Sequence, residues 1–228
     1  LKDLETVDKK IDKVKRSAKT GNKEAQAEEA VLLKIKSALE SGISVRAIEF
    51  DEESYDEYVK PLQCITDKPV MYVCNVDENA AVSGNSYVDK VKEAVKEEHA
   101  EVLVLAVATE ADINELDDYE ERQIFLQDIG LEEPGSSKLI RAAYKLLNQQ
   151  TYFTAGVKEV RAWTVTIGST APQAAGVIHT DFEKGFIRAE VIAFNDYISF
   201  GSEAKVKEAG KMRVEGKNYI VNDGDVMH

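Results

Sequence analysis

Apolar residues recur at steps of three and four through the first forty residues, which is the spacing of one face of an α-helix. They are Leu4, Val7, Ile11, Val14 and Ala18 in a first stretch, and Ala27, Val31, Ile35, Ala38 and Leu39 in a second. Gly21 and Asn22 separate the two stretches as a helix stop and an N-cap, and Ser41-Gly42 ends the second. Two helices joined by so short a turn predict an antiparallel hairpin, which we expect to pack on a neighbouring domain.

After the hairpin, short apolar runs alternate with runs of helical spacing. Val45–Phe50 is compatible with an extended segment, and Asp51–Ile65 has the spacing of a helix. Two β-rich runs, Val70–Cys74 and Glu101–Ala108, flank a helical stretch at Ser86–His99. Two further helices are predicted at Asp117–Ile129 and Ser136–Gln149. The order strand, helix, strand favours a parallel α/β sheet.

From Thr151 the elements become shorter and glycines mark frequent turns. Strands are predicted at Arg161–Ile167 and Phe186–Phe194, and the sequence Asn222-Asp-Gly-Asp225 predicts a tight turn between two short strands. These features indicate a separate small α+β domain.

Composition narrows the class of protein. The 228 residues carry 29 basic and 42 acidic side chains, a net charge of −13, which argues against non-specific coating of nucleic acid and against DNA sequence recognition. Most of the negative excess lies before Thr151, so that any RNA contact is expected on a local face of the nearly neutral remainder. No apolar run approaches the length of a membrane span or resembles a signal peptide, and a cytoplasmic protein without membrane contact is expected.

The cysteines and histidines do not predict a metal site or a redox site. Cys64 and Cys74 have no metal-ligand spacing, and packing in the core is the favoured interpretation over a redox role. The three histidines, His99, His179 and His228, are scattered and predict no metal site.

The segment Asn75-Val76-Asp77-Glu78 follows the first predicted strand directly, where ligands bind in α/β sheets. In P-loop GTPases this position holds N-K-x-D, whose Asp binds the guanine edge while its Asn ties adjacent loops together. Glu78 stands in place of that Asp, which predicts a weaker preference for guanine and makes adenine plausible. The alternative is that Asn75 or Asp77 simply caps a turn or helix.

Two other loops bear on nucleotide binding. The second strand runs into a loop containing Ala108, where such proteins bring backbone N–H groups close to the base. The segment Gly130–Ser137 begins like a phosphate-binding loop, G-x-x-x-x-G, but has Ser136 where the phosphate-binding lysine should be. We expect Ser136 to be the N-cap of the following helix, and we expect this chain alone to have no hydrolytic activity.

Long runs of the sequence resemble the YchF/Obg-like ATPases, which are related to the Obg-type P-loop NTPases. The runs that carry the resemblance are Thr151–Thr164, Ala171–Gly176, Ile178–Ile187, Asn218–Asp225, Leu131–Gly135 and Asn75–Glu78. The resemblance implies an α/β fold: residues 1–43 as a helical coiled-coil hairpin, 44–149 as the C-terminal portion of a P-loop G domain, and 150–228 as an α+β TGS domain of the β-grasp type. It also implies that the P-loop, the switch segments and the Mg²⁺ ligands would precede Leu1.

The resemblance further implies a ribosome-associated protein that hydrolyses ATP in preference to GTP. Asn75, Val76, Glu78 and Ala108 are then the candidate nucleotide-binding residues, with ATP and Mg²⁺ as cofactors. Lys184, Arg188, Lys211 and Arg213 are candidates for contacts with ribosomal RNA, although each cation could instead pair with a nearby glutamate. The alternative function is a non-catalytic module that binds RNA or the ribosome.

Overall fold

The computed structural model describes residues 1–98, 100–156 and 159–228, so that His99 and the segment 157–158 of the Thr151–Thr164 run lie outside the described chain. The described residues divide into two compact units. One comprises residues 1–72 and 86–102, and the other comprises residues 73–85 and 103–228.

The described residues form both helices and strands, which confirms a mixed α/β structure. In the described residues the α-helices are α1 (Lys2–Lys19), α2 (Lys23–Glu40), α3 (Glu52–Ser54), α4 (Ser86–Ala94), α5 (Val107–Glu115), α6 (Tyr119–Asp128), α7 (Gly135–Leu146), α8 (Ala171–Ile178), α9 (Thr180–Gly185), α10 (Phe194–Phe200) and α11 (Glu203–Glu208). The strands are β1 (Met71–Asn75), β2 (Glu101–Leu105), β3 (Gln149–Ala155), β4 (Val160–Thr166), β5 (Ala189–Ile192), β6 (Arg213–Glu215) and β7 (Val226–Met227).

Helices α1 and α2 pack on each other as the hydrophobic spacing predicts, but Ala27, expected on the buried face of α2, is exposed, and Leu32, not expected there, is buried. Val7 of α1 and Leu32 and Ile35 of α2 are fully buried in one apolar cluster. The Asn22 side chain accepts a hydrogen bond from the backbone N–H of Ala25 at 3.1 Å, which confirms the predicted N-cap of α2. An ion pair of 2.7 Å between Lys36 and Asp8 also joins the two helices.

The helix expected over Asp51–Ile65 is broken into short pieces. After α3 the backbone forms a π-helical turn at Tyr55–Val59 and a 3-10 turn at Lys60–Leu62. Pro61 contributes to the break, because it has no N–H to donate to the preceding turn, and the helical geometry ends at Gln63, which has a φ of +51°. The extended segment expected at Val45–Phe50 instead begins with a 3-10 turn at Val45–Ala47, since Val45 is drawn into the hairpin's apolar cluster.

Cys64 lies in that apolar cluster and is only 2% exposed. Burial raises the pKa of its thiol to about 11, so that the reactive thiolate is scarce at neutral pH. Packing is therefore the role that the structure supports for Cys64. Cys74 is half-buried on β1, and both cysteines are free thiols.

Asp3, near the start of α1, is a buried carboxylate with three hydrogen-bond donors. Its oxygens accept from the backbone N–H of Ile65 at 2.9 Å, and from the N–H and the hydroxyl of Thr66 at 2.7 Å each. Burial alone would raise the pKa of Asp3, but the hydrogen bonds from Thr66 and Ile65 outweigh it and the pKa is lowered. This carboxylate joins the start of the hairpin to the loop that precedes β1.

We expect Asp3→Asn to lower the free energy of unfolding by about 1–3 kcal/mol at pH 7, because both carboxylate oxygens accept hydrogen bonds and an amide keeps only one acceptor oxygen. The loss should fade in acid. A lowered folded-state pKa gives stability that is present above the unfolded pKa and is lost as the pH falls through the folded pKa. Urea unfolding at pH 7 and pH 3 measures both; equal differences between the two proteins at both pH values would contradict the role of the charge.

The C-terminal sheet has five strands in the order β4-β3-β7-β5-β6. β3 pairs with β4 antiparallel and with β7 parallel, and β5 pairs antiparallel with β6 and β7. Tyr152 and Val191 face a cluster that includes Ala171 and Ala174 of α8. Ile192 and Val226 face the other way, toward a cluster that contains Val206 of α11 and also Tyr197 and Phe200 of α10. The sheet therefore has helices against both faces.

The strand expected over Phe186–Phe194 is shorter, and only Ala189–Ile192 is extended. Phe194 begins α10 instead. Its ring stacks on that of Phe153 with a centroid distance of 6.2 Å, a tertiary contact that the local pattern does not reveal.

The sequence Asn222-Asp-Gly-Asp225 forms the predicted turn before β7. The Asp225 carboxylate accepts from the N–H of Asn222 at 2.9 Å and from the hydroxyl of Tyr219 at 2.7 Å, while the Asp223 carboxylate accepts from the N–H of Thr151 at 2.9 Å. Gly224 has a φ of +82°, and a Cβ atom there would lie 2.9 Å from Phe194. The turn thus depends on side-chain acceptors and on glycine for close packing.

Candidate functional site

Asn75 is the last residue of β1, and its side chain ties the ends of the first two strands together. Its Oδ1 accepts a hydrogen bond from the backbone N–H of Val107 at 3.1 Å, at the point where the chain leaves β2. The N–H of Val76 donates to the carbonyl of Leu105 at 2.8 Å. Asn75 therefore joins two adjacent loops, as an Asn in this position does in the N-K-x-D motif.

Asp77 and Glu78 follow in a 3-10 turn. Asp77 accepts from the N–H of Ala80 at 3.2 Å, so the capping alternative holds for Asp77. Glu78 opens the turn with its side chain exposed to solvent. Glu78 is thus the carboxylate of this segment that remains available to a ligand, and it lies beside the Asn75 junction.

Ala108 lies in the first turn of α5, not in a loop as expected. The helix begins at Val107, immediately after β2, with Ala106 in the N-cap position. Burial of Ala106 and Ile113 in one apolar cluster favours this early start. The N–H groups of a first helical turn have no acceptor within the helix, and Ala108 is exposed. The N–H of Ala108 therefore has no acceptor within the helix and lies next to the Asn75 contact, which is compatible with the predicted backbone contact to a base.

Glu110, also on α5, holds the start of α7. Its carboxylate accepts from the backbone N–H of Gly135 at 2.6 Å and from that of Ser136 at 3.0 Å. Ser136 is therefore not the N-cap, because α7 already begins at Gly135 and Glu110 supplies the acceptors from 25 residues away. Sequence reasoning missed Glu110, since no local motif connects it to Gly135.

This contact also explains why the G-x-x-x-x-G segment is no phosphate site. The N–H groups at the start of α7, which a phosphate would need, are occupied by a carboxylate of the same chain. A Cβ atom at Gly135 would lie 2.5 Å from the Leu105 side chain and 2.8 Å from Glu110 Oε1, so a larger residue there would force these side chains to shift.

The four candidate RNA-binding cations fall into two pairs. Lys184 and Arg188 lie at and just after the end of α9. Lys211 is 3.9 Å from Asp196 of α10, and Arg213 donates a hydrogen bond to the Tyr219 hydroxyl and lies 3.7 Å from Asp225. Lys211 and Arg213 therefore fit the alternative interpretation, in which a surface cation pairs with a nearby carboxylate instead of contacting RNA.

Among the described residues, no His, Cys, Asp and Glu side chains form a group of three that could hold a metal ion. No helix in the described part of the chain is long and apolar enough to cross a membrane.

Residues 149–228 match the family model YchF-GTPase_C, which is described as a protein of unknown function (DUF933). Along its whole length the chain is 54% identical to the ribosome-binding ATPase YchF of Escherichia coli O157:H7, and 50% identical over 230 residues to the protein of that name from Bacillus subtilis (strain 168). The chain spans 62% of the length of each relative.

The fold agrees with the sequence comparison. The structure of the Schizosaccharomyces pombe YchF GTPase matches this chain with a TM-score of 0.86 at 30% identity, covering 100% of the chain and 62% of the other protein. Sequence identity of 50% or more over the full chain, together with this agreement in fold, shows that the chain belongs to the YchF family.

Proposed function

We propose that this chain is the base-recognising and ribosome-binding part of an ATPase that prefers ATP to GTP. The observation that carries the proposal is the hydrogen bond from the Val107 N–H to Asn75 Oδ1, which brings the exposed Glu78 and the start of α5 together at the ends of β1 and β2. This is where α/β sheets bind nucleotides.

In this proposal Asn75 joins the loops that follow β1 and β2, and Val76 lies beside it at the end of β1. Glu78 and the N–H of Ala108 contact the base. Glu78 reaches one methylene further than an Asp, so it does not keep the paired acceptor geometry that guanine requires. A guanine N–H left unpaired in the site costs binding energy, and this disfavours GTP relative to ATP. Phosphate and Mg²⁺ chemistry would belong to the part of the relatives' length that this chain does not span.

We propose three parts for the architecture of this chain. Residues 1–43 form a coiled-coil hairpin arm, residues 44–149 the returning portion of a P-loop G domain, and residues 150–228 a β-grasp TGS domain. The five-stranded sheet with helices on both faces supports the last assignment.

Ribosome binding is proposed for the arm and the C-terminal domain, and it implies a cytoplasmic protein. The bacterial relatives are named as ribosome-binding ATPases, which supports this partner. Within the C-terminal domain we favour Lys184 and Arg188 for RNA contacts over Lys211 and Arg213, because the latter two have carboxylates within 4 Å. Bound phosphates release counterions, so this contact should weaken with salt.

The base-recognition role is tested by Glu78→Asp in the full-length protein. Shortening the side chain restores the acceptor position of N-K-x-D, and the ratio of the dissociation constants for ATP and GTP should move toward GTP by roughly 5- to 30-fold, about 1–2 kcal/mol. Titration with fluorescent ATP and GTP analogues, competed by the natural nucleotides, measures the ratio. Glu208→Asp on α11 is the matched control and should leave it unchanged. An unchanged ratio in Glu78→Asp would remove Glu78 from the site.

A further inference from the structure

Strand β4 is an edge of the C-terminal sheet that lacks the usual protection against pairing. It runs for seven residues, Val160–Thr166, and all seven are in unbroken register with β3, so the strand carries no bulge. Its sequence, VRAWTVT, contains no proline and no lysine. The opposite edge, β6, has only three residues. Natural proteins shorten, bend or charge their edge strands, and β6 is shortened in this way while β4 is not.

The hydrogen bonds at the two ends of the β3–β4 pair show which backbone groups of β4 point away from the sheet. Gly156 donates to the Glu159 carbonyl at 2.9 Å, and Ile167 donates to the Asn148 carbonyl at 2.8 Å. Hydrogen-bonded pairs recur at every second residue in an antiparallel ladder. With the observed register, the odd-numbered residues of β4 therefore bond to β3, and the N–H and C=O groups of Val160, Ala162 and Thr164 face outward.

The side chains along this edge are those of a surface that pairs with another strand. Val160 is 71% exposed, and Arg161 and Ala162 are exposed beside it. The Arg161 guanidinium lies 4.1 Å from the centre of the Trp163 ring, and the indole N–H donates to the Thr154 hydroxyl at 2.9 Å. This fixes a cationic and aromatic platform on one side of the open edge.

We propose that the β4 edge binds an extended segment of a partner protein, which adds a sixth strand to the sheet through the outward groups of Val160 and Ala162. The fitting segment is β-rich and apolar, with an acidic side chain placed to meet Arg161. A second copy of this chain is disfavoured because its own β4, VRAWTVT, has no carboxylate to meet Arg161. RNA is disfavoured because a strand with one cation and two exposed apolar residues offers backbone amides, not a track of positive charge.

The probe is the synthetic peptide acetyl-Asp-Val-Thr-Val-Thr-Val-Asp-amide, titrated into the chain. Trp163 is the single tryptophan of the chain and lies on the edge strand, so its fluorescence reports binding directly. We expect saturable change in that fluorescence, and slower amide hydrogen exchange at Ala162 in the complex. A peptide N-methylated at its five central residues has no N–H there to donate to the outward carbonyls of β4, and it should bind at least about tenfold more weakly.

Ala162→Pro removes one outward N–H and leaves the ladder to β3 intact, and it should weaken peptide binding at least about tenfold. Ala162→Thr keeps the N–H and is the matched control, which should bind like the unmodified chain. Circular dichroism establishes that both variants fold; if Ala162→Pro does not, the N-methylated peptide alone decides.

Equal binding of the plain and N-methylated peptides would overturn the proposal. So would quenching of Trp163 by oligouridylate without any response to the peptide, which would assign the platform to RNA. Concentration-dependent dimerisation in sedimentation, lost in Ala162→Pro, would assign the edge to a second copy instead.

Discussion

Replacing Asp225 by alanine is expected to lower the free energy of unfolding of the C-terminal sheet by about 2–4 kcal/mol. The Asp225 residue is 2% exposed, and its removal leaves the Asn222 N–H and the Tyr219 hydroxyl without their acceptor inside the fold. Arg213, 3.7 Å away, loses a carboxylate as well. The loss should be large because the same turn holds β7 between β3 and β5.

Urea unfolding followed by circular dichroism measures this loss, and hydrogen exchange at Phe153 and Met227 locates it. Asp225→Asn retains one acceptor oxygen in nearly the same shape and should lose less than half as much. If Asp225→Ala and Asp225→Asn were equally destabilised, the charge and not the hydrogen bonding would be the important property of this side chain.

Gly135→Ala is expected to cost about 2–3 kcal/mol although alanine is the better helix former. The new Cβ would fall within 3 Å of both Leu105 and Glu110, and neither atom can retreat without loss. Moving Leu105 disturbs the end of β2, and moving Glu110 withdraws the carboxylate from the N–H groups of Gly135 and Ser136.

The matched control is Gly185→Ala at the end of α9, where a Cβ meets nothing within 4 Å and the stability should change by less than about 0.5 kcal/mol. Thermal unfolding of the two variants beside the unmodified chain provides the comparison. If Gly135→Ala were as stable as Gly185→Ala, the side chains of Leu105 and Glu110 would be shown to move aside at no cost.

Local signals predicted the parts of the fold that depend on neighbouring residues. The hairpin followed from helical spacing and the Asn22 cap, and the turn before β7 followed from its Asn-Asp-Gly-Asp sequence. Asn75 was identified because it follows a predicted strand directly and occupies the place of the Asn in N-K-x-D. Its acceptor role toward Val107 agrees with that interpretation.

Contacts between distant residues account for what the sequence did not reveal. The start of α7 at Gly135 depends on Glu110, and Phe194 turns from strand into helix where it meets Phe153. Neither partner lies within a window that periodicity can examine. The broken helix before Gln63 is different, because Pro61 is a local signal: it has no N–H to donate, and a regular helix over Asp51–Ile65 would need that N–H.

The Asn75 contact is the first of a series of hydrogen bonds that all lie within a single compact unit. Asn75 holds the first N–H of α5, Glu110 on the same helix holds the first two N–H groups of α7, and Tyr144 near the end of α7 meets the Thr164 hydroxyl on β4 at 2.9 Å. A small shift at the end of β1 would therefore strain a series of hydrogen bonds that ends at Thr164 on β4. If α5 and α7 move as rigid bodies, a displacement beside Asn75 reaches Thr164, and a change in amide hydrogen exchange at Thr164 on replacing Asn75 would measure that coupling.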